Sequence, residues 1–208
     1  MLGVYDPACL VSLSGLAAAV AAMILAVRGT FELAMVGLII AGIADLFDGV
    51  VARRLKRGRF EKEFGVQLDT TVDVFAFVAT PVVIVLNSVA VSWAGALGAA
   101  WFVTAGVVRL AHFNTLTVRE TEPVTHHQGL PVTYTALIFP LLFLVRGTMT
   151  EEHFQLLLVA ALVAVGFLFV INVPVPKPRG MFYVILPLLA VCLTVYWVGR
   201  YLNWFGTV

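Results

Sequence analysis

Charge is scarce in this sequence. Only 12% of its 208 residues are Asp, Glu, Lys or Arg, about half of what a soluble domain carries, and the mean hydropathy is +1.01. A water-soluble globular domain is excluded on that ground. Cysteine is nearly absent as well. Cys9 and Cys192 lie in the first and last hydrophobic segments, so no disulfide framework is expected and both read as buried small apolar residues. The chain has no Cys/His zinc spacing, no phosphate-binding glycine loop, no nucleophile elbow and no internal repeat. Met1 to Pro7 lacks a basic leader, so no cleavable signal is expected. The net charge of +1 identifies no partner, and none is expected to be a nucleic acid.

What the chain does have is long apolar runs. About 20 apolar residues cross the hydrocarbon layer as a helix. That ruler predicts an all-α integral membrane protein of about seven spans, near 8–27, 31–53, 65–88, 92–114, 129–146, 153–172 and 181–203. A chain this short is expected to form a single domain over 1–208. Its cations are unevenly placed. Arg53, Arg54, Lys56, Arg57, Arg59 and Lys62 crowd one link, with Arg119, Lys177 and Arg179 in loops on the same side; Arg28, Arg146 and Arg200 lie opposite. The positive-inside rule puts the amino terminus and that basic link in the cytoplasm of a multi-pass cytoplasmic-membrane protein. Trp197, Tyr201 and Trp204 then read as an outer aromatic anchor.

The few acids are the more telling residues. Asp45 and Asp48 end the second apolar run, and Asp69 and Asp73 open the third. Carboxylates within spans are costly and mark function. Spacings of three and four residues place each pair on one helix face. A short turn between the two helices would bring all four together, and four carboxylates so close need cations. Oxygen ligands suit hard ions, so two divalent ions, Mg²⁺ or Mn²⁺, are expected on Asp45, Asp48, Asp69 and Asp73. A salt-bridge cluster with the loop arginines and a cation pathway are the competing readings of the same residues. Gly49 and Ala52 leave bare helix surface beside the acids, for close packing or for a flat ligand. Arg53 stands one turn beyond Gly49, placed to meet an anion. Arg54, Lys56, Arg57 and Arg59 read as solvated positive-inside residues. Arg109, inside the end of the fourth span, needs a partner: a lipid or substrate phosphate, or one of the acids.

The run from Asp45 to Asp73 resembles the signature of the CDP-alcohol phosphotransferases, D-x-x-D-G-x-x-A-R followed by G-x-x-x-D-x-x-x-D. Every specified position is filled: Asp45, Asp48, Gly49, Ala52 and Arg53, then Gly65, Asp69 and Asp73. The link between the halves, Arg54 to Phe64, is longer than the pattern normally carries. At the opening of the chain, Cys9 and Ser12 stand where the family's P-x-N-x-x-T pattern has Asn and Thr. The resemblance covers the first six helices and makes the seventh an addition to the core. It implies transfer of a CMP-activated phosphoalcohol to an acceptor hydroxyl with release of CMP. It also implies metal binding by the four aspartates, Asp73 as base, CDP contacts from Gly49, Ala52, Arg53 and Gly65, and a homodimer. Leu68-Asp69-Thr70-Thr71-Val72-Asp73-Val74, Arg109-Leu110-Ala111-His112-Phe113-Asn114 and Gly129-Leu130-Pro131 look most like the phosphatidylserine synthase branch. That branch implies CDP-diacylglycerol, or a related archaeal-type CDP-lipid, and L-serine as substrates, with Arg109 as an acceptor or phosphate contact. The alternatives are glycerol 3-phosphate, inositol or inositol phosphate as acceptor within the family and, outside it, a cation-coupled transporter.

Overall fold

The computed structural model describes residues 3–89, 92–119, 126–172, 174–176 and 182–204. Glu120, Glu122, Lys177 and Arg179 lie outside them.

The first helix, α1 (Pro7–Val27), starts where Asp6 accepts a hydrogen bond from the Cys9 amide at 2.9 Å and Pro7 occupies the first turn. That position needs no N–H from its residue. The small face of α1 (Gly15, Ala19, Ala22, Ala26) is buried against α2 (Phe31–Arg54). At Gly37 of α2 a Cβ would fall 2.9 Å from the Ala22 Cβ and 3.0 Å from the Ala18 carbonyl oxygen. The alanines of α1 therefore serve close helix packing.

The basic link is shorter than the sequence suggests. Residues Leu55 to Gly58 join α2 to α3 (Arg59–Ser88), whereas the hydropathy reading begins that helix near Gly65. Glu61 reaches back to the Gly58 N–H, and Arg59 pairs with Glu63 one turn on. These local contacts carry the helix into residues too polar to count toward a span. The extra link residues have become helix.

Further along α3 the residues Val74–Ala79 form a π-helical stretch just before Pro81. Pro81 has no N–H to offer the Phe77 carbonyl. The Thr135 hydroxyl, shared with the Val132 carbonyl at 2.8 Å, offers Phe77 O a donor across the helix interface at 2.9 Å, and the Thr80 hydroxyl donates to Phe75 O at 2.8 Å.

Helix α4 (Trp93–Arg119) packs along α6 (Glu151–Val170), with Trp101 Nε1 donating to Val163 O at 3.2 Å. Between them in sequence is the short α5 (Thr135–Phe143), entered through a 3₁₀ turn at Val132–Tyr134. The last helix, α7 (Phe182–Tyr201), lies against α2. Phe77, Phe102, Phe139 and Phe169 fill the centre. Two strands, β1 (His126–Gln128) and β2 (Pro174–Pro176), form an antiparallel ribbon with His127 opposite Val175; the sequence reading has only loop and extended connector there. Gly129 follows with φ +73°, and a Cβ there would come 2.5 Å from the Phe169 carbonyl oxygen. This turn lets Leu130 N–H donate to Leu168 O at 2.8 Å.

The described residues thus hold seven helices at the positions expected, five of them long and apolar enough to cross a membrane. This is an all-α, multi-pass membrane protein. Two single residues also differ from expectation. Cys9 is buried but Cys192 is exposed; both are free thiols. Trp197 is buried, 5% exposed, so only Tyr201 and Trp204 of the three aromatics face outward.

Candidate active site

The short link folds α2 and α3 back on one another, and their carboxylates meet. Asp45, Asp48 and Asp69 each bring an oxygen to a common point, all within 4.8 Å of one another. Asp48 and Asp73 are buried, each 8% exposed. The Ser12 hydroxyl of α1 donates to Asp48 Oδ2 at 2.6 Å. Asp73 Oδ1 is buried with no hydrogen-bond partner. Among the described residues the ion pairs are Arg57–Asp6, Arg59–Glu63 and Arg146–Glu151, so no loop arginine forms an ion pair with the four acids. Unpaired buried carboxylates are expensive. An all-oxygen donor set with one orphaned atom fits hard divalent cations.

A cavity of about 280 Å³ opens on one side of the cluster. Asp48, Gly49, Ala52 and Arg53 of α2 line it, with Lys62, Gly65 and Asp69 of α3 across from them. The two uses open to Gly49 are separated here: a Cβ on it would meet only Arg53 Nη1, at 3.6 Å. Gly49 keeps a surface bare and packs against no helix. The same cavity takes in Ala8, Cys9 and Ser12 of α1, and Arg57 from the link.

A second cavity, about 260 Å³, reaches the cluster from elsewhere, between Asp45, Asp73, Arg109, Phe113, Thr133 and Tyr134. Arg109 is 6% exposed with an unpartnered Nε, and its guanidinium sits 5.4 Å from the Phe113 ring centre. None of the ion pairs among the described residues includes it. The Asn114 amide, on the same helix, donates to Thr70 Oγ1 at 2.6 Å. That contact ties the end of α4 to the turn between Asp69 and Asp73. Asp45 also borders a smaller, mostly apolar groove of about 150 Å³ between α2, α5 and α7, with Ile39, Leu137, Leu186 and Ala190 in its walls.

The family model described as CDP-alcohol phosphatidyltransferase matches residues 6–207. The chain belongs to that family. The match runs on through α7, beyond the six helices that carry the sequence resemblance. Among curated proteins it is similar to an archaetidylserine synthase of Methanothermobacter thermautotrophicus, 27% identical over 161 residues. The aligned part is 76% of this chain and 64% of the relative, so the chain spans just under two thirds of that protein's length.

Within this family member the structure brings the signature residues together around one site: Asp45, Asp48 and Asp69 at the cluster, Asp73 beside Asp45 on the second cavity, and Gly49, Ala52, Arg53 and Gly65 on the first. Sequence reasoning missed Ser12, Arg57 and Lys62. Ser12 stood out only as a departure from the family pattern. Arg57 and Lys62 are two cations in a run of six, and nothing local to the sequence sets them apart.

Proposed function

We propose that this protein transfers a lipid phosphate from a CDP-activated lipid to the hydroxyl of L-serine, releasing CMP, at the cytoplasmic end of its helices. The observation that carries this reading is the pair of cavities meeting at one row of acids. The nucleotide occupies the first cavity, its phosphates against Arg53 and the bare surface of Gly49. Its lipid tails leave along the apolar groove beside Asp45, toward the bilayer. The acceptor enters the second cavity, where the buried Arg109 holds its carboxylate.

Asp45, Asp48, Asp69 and Asp73 would hold two divalent ions, Mg²⁺ or Mn²⁺. When bound, such ions neutralise charge on the attacked and leaving phosphate oxygens. Asp73 takes the proton of the acceptor hydroxyl; its buried, unpartnered oxygen borders the acceptor cavity, as a base must. The freed oxygen bonds to the lipid-bearing phosphorus, and that phosphorus parts from the oxygen of the CMP phosphate. Ser12 holds Asp48 in place.

The choice of serine is supported by the Leu68–Val74, Arg109–Asn114 and Gly129–Pro131 segments and by the likeness to a protein named for archaetidylserine. The test is CMP release by purified protein with CDP-diacylglycerol and Mn²⁺, given serine, glycerol 3-phosphate or inositol separately. Release with serine alone is expected. Release only with another acceptor would overturn the serine assignment; no release with any would overturn the phosphatidyl-transfer reading for this lipid.

A further inference from the structure

The first cavity holds three cations in two different states. Arg57 is matched: its Nε lies 2.8 Å from Asp6 Oδ2, and its Nη2 donates to Asp6 Oδ1 at 2.8 Å. Only the Nη2 contact is a hydrogen bond; Nε and Oδ2 are close enough for an ion pair but have no hydrogen-bond partner. Together the two contacts hold the guanidinium against Asp6, with the Arg57 side chain 11% exposed. Arg53 and Lys62 form no ion pair with any carboxylate of the described residues. An anion entering the cavity gains most from the unmatched cations. Asp6 does not engage the Arg57 Nη1.

The two arginines also stand at different levels. Arg53 reaches back over Gly49, its Nη1 3.6 Å from where a Cβ would be, next to Asp48. Arg57 Nη1 lies over Gly65, 3.0 Å from the corresponding point. Gly65 precedes Asp69 by one helical turn, about 6 Å along α3. Small and mostly apolar residues make up much of the rest of the cavity wall: Ala8, Cys9, Ala52, Gly65 and Val66. They make a slot for a flat ring, closed on one edge by a held N–H donor.

We propose that Arg57, fixed by Asp6, reads the acceptor edge of the cytosine base and so sets the nucleotide specificity of this cavity. The inference rests on the reading of the cavity as the CDP site. Cytosine presents a carbonyl oxygen and an unprotonated ring nitrogen on adjacent positions; uracil keeps the carbonyl but carries a hydrogen on that nitrogen. A donor held at this edge therefore favours cytosine. A site built around a hydrogen bond discriminates strongly against the analogue that cannot make it.

The experiment is titration calorimetry of the detergent-purified full chain with CMP and with UMP, both with Mn²⁺ present. Wild-type protein should prefer CMP. Arg57→Gln should lower the CMP:UMP affinity ratio about tenfold, while Arg53→Gln should weaken both nucleotides together and leave the ratio unchanged. An unchanged ratio in Arg57→Gln, with both affinities intact or both reduced, overturns the assignment to the base. If Arg57→Gln does not fold, Asp6→Asn serves instead: it keeps an acceptor for the Cys9 amide but loosens the guanidinium, and the ratio should fall in the same direction. An unchanged ratio there overturns the positioning role of Asp6 and the inference with it. Failure of the wild-type protein to bind either nucleotide overturns the CDP reading of the cavity itself, a result distinct from binding without discrimination.

Discussion

Single residues divide here between those that meet substrate and those that hold others in place. Asp73→Asn keeps the shape and removes the proposed base, so kcat should fall by about a hundredfold or more while the protein still binds Mn²⁺. Activity near that of wild type would remove the assignment. Ser12 acts at one remove, through its hydrogen bond to Asp48. Ser12→Ala should raise the Mn²⁺ concentration for half-activity by about tenfold, and Ser12→Thr should restore it; identical titrations would mean that the hydroxyl only packs. Asp6 gives a pH dependence with a definite sign. Burial alone would raise its carboxyl, but hydrogen bonds from Cys9 and Arg57 outweigh burial and hold it below the ordinary value of 3.8. Its contribution to stability is therefore complete above that value and lost as pH falls through the lower folded value. The gap in melting temperature between wild type and Asp6→Asn should be constant from pH 7 to 5 and close below about pH 4. A gap that widened on acidification would contradict the ion pair. The four aspartates could be read from sequence because their spacing alone aligns them in pairs. Ser12, Asp6 and Arg57 could not, because what joins them is the fold: Ser12 and Asp48 are 36 positions apart, Asp6 and Arg57 51.

At the level of helices, hydropathy predicts most boundaries to within a few residues, since bilayer thickness dictates length. It fails where a helix is held by something other than apolar burial. The first turns of α3 are charged and are kept helical by Glu61 and the Arg59–Glu63 pair, which no span ruler registers. The π-helical stretch before Pro81 is equally silent in sequence, because the proline signals a lost donor and not where the replacement comes from. Here it comes from Thr135, one helix away. Thr135→Val preserves shape but leaves the Phe77 carbonyl unsatisfied in a dry interior, at a cost of about 1–3 kcal/mol. A lower melting temperature in detergent, with Thr135→Ser close to wild type, is the expected result. Equal stability of all three proteins would show that another group satisfies the carbonyl.

Across the whole molecule, the helices arrange three openings around one cluster: the first cavity at Asp48 and Asp69, the second at Asp45 and Asp73, and the apolar groove at Asp45. Sequence could name the acids but not their allocation, since which acid faces which opening depends on how α4, α5 and α7 close around α2 and α3. That allocation bears on acceptor choice. Arg109 supplies the one arginine of the second cavity, enough for a single small anion, and Arg109→Lys should raise the KM for serine while leaving that for the CDP-lipid near wild type. A matching rise in both would place Arg109 with the nucleotide.

In the proposed reading the two substrates approach the acids by separate routes, so neither has to leave before the other arrives. Both can be present when the phosphorus changes hands, and no lipid need be parked on a side chain between half-reactions. Labelled CMP should therefore not wash into CDP-lipid when the acceptor is withheld, and a chiral phosphorus should emerge inverted after its single displacement.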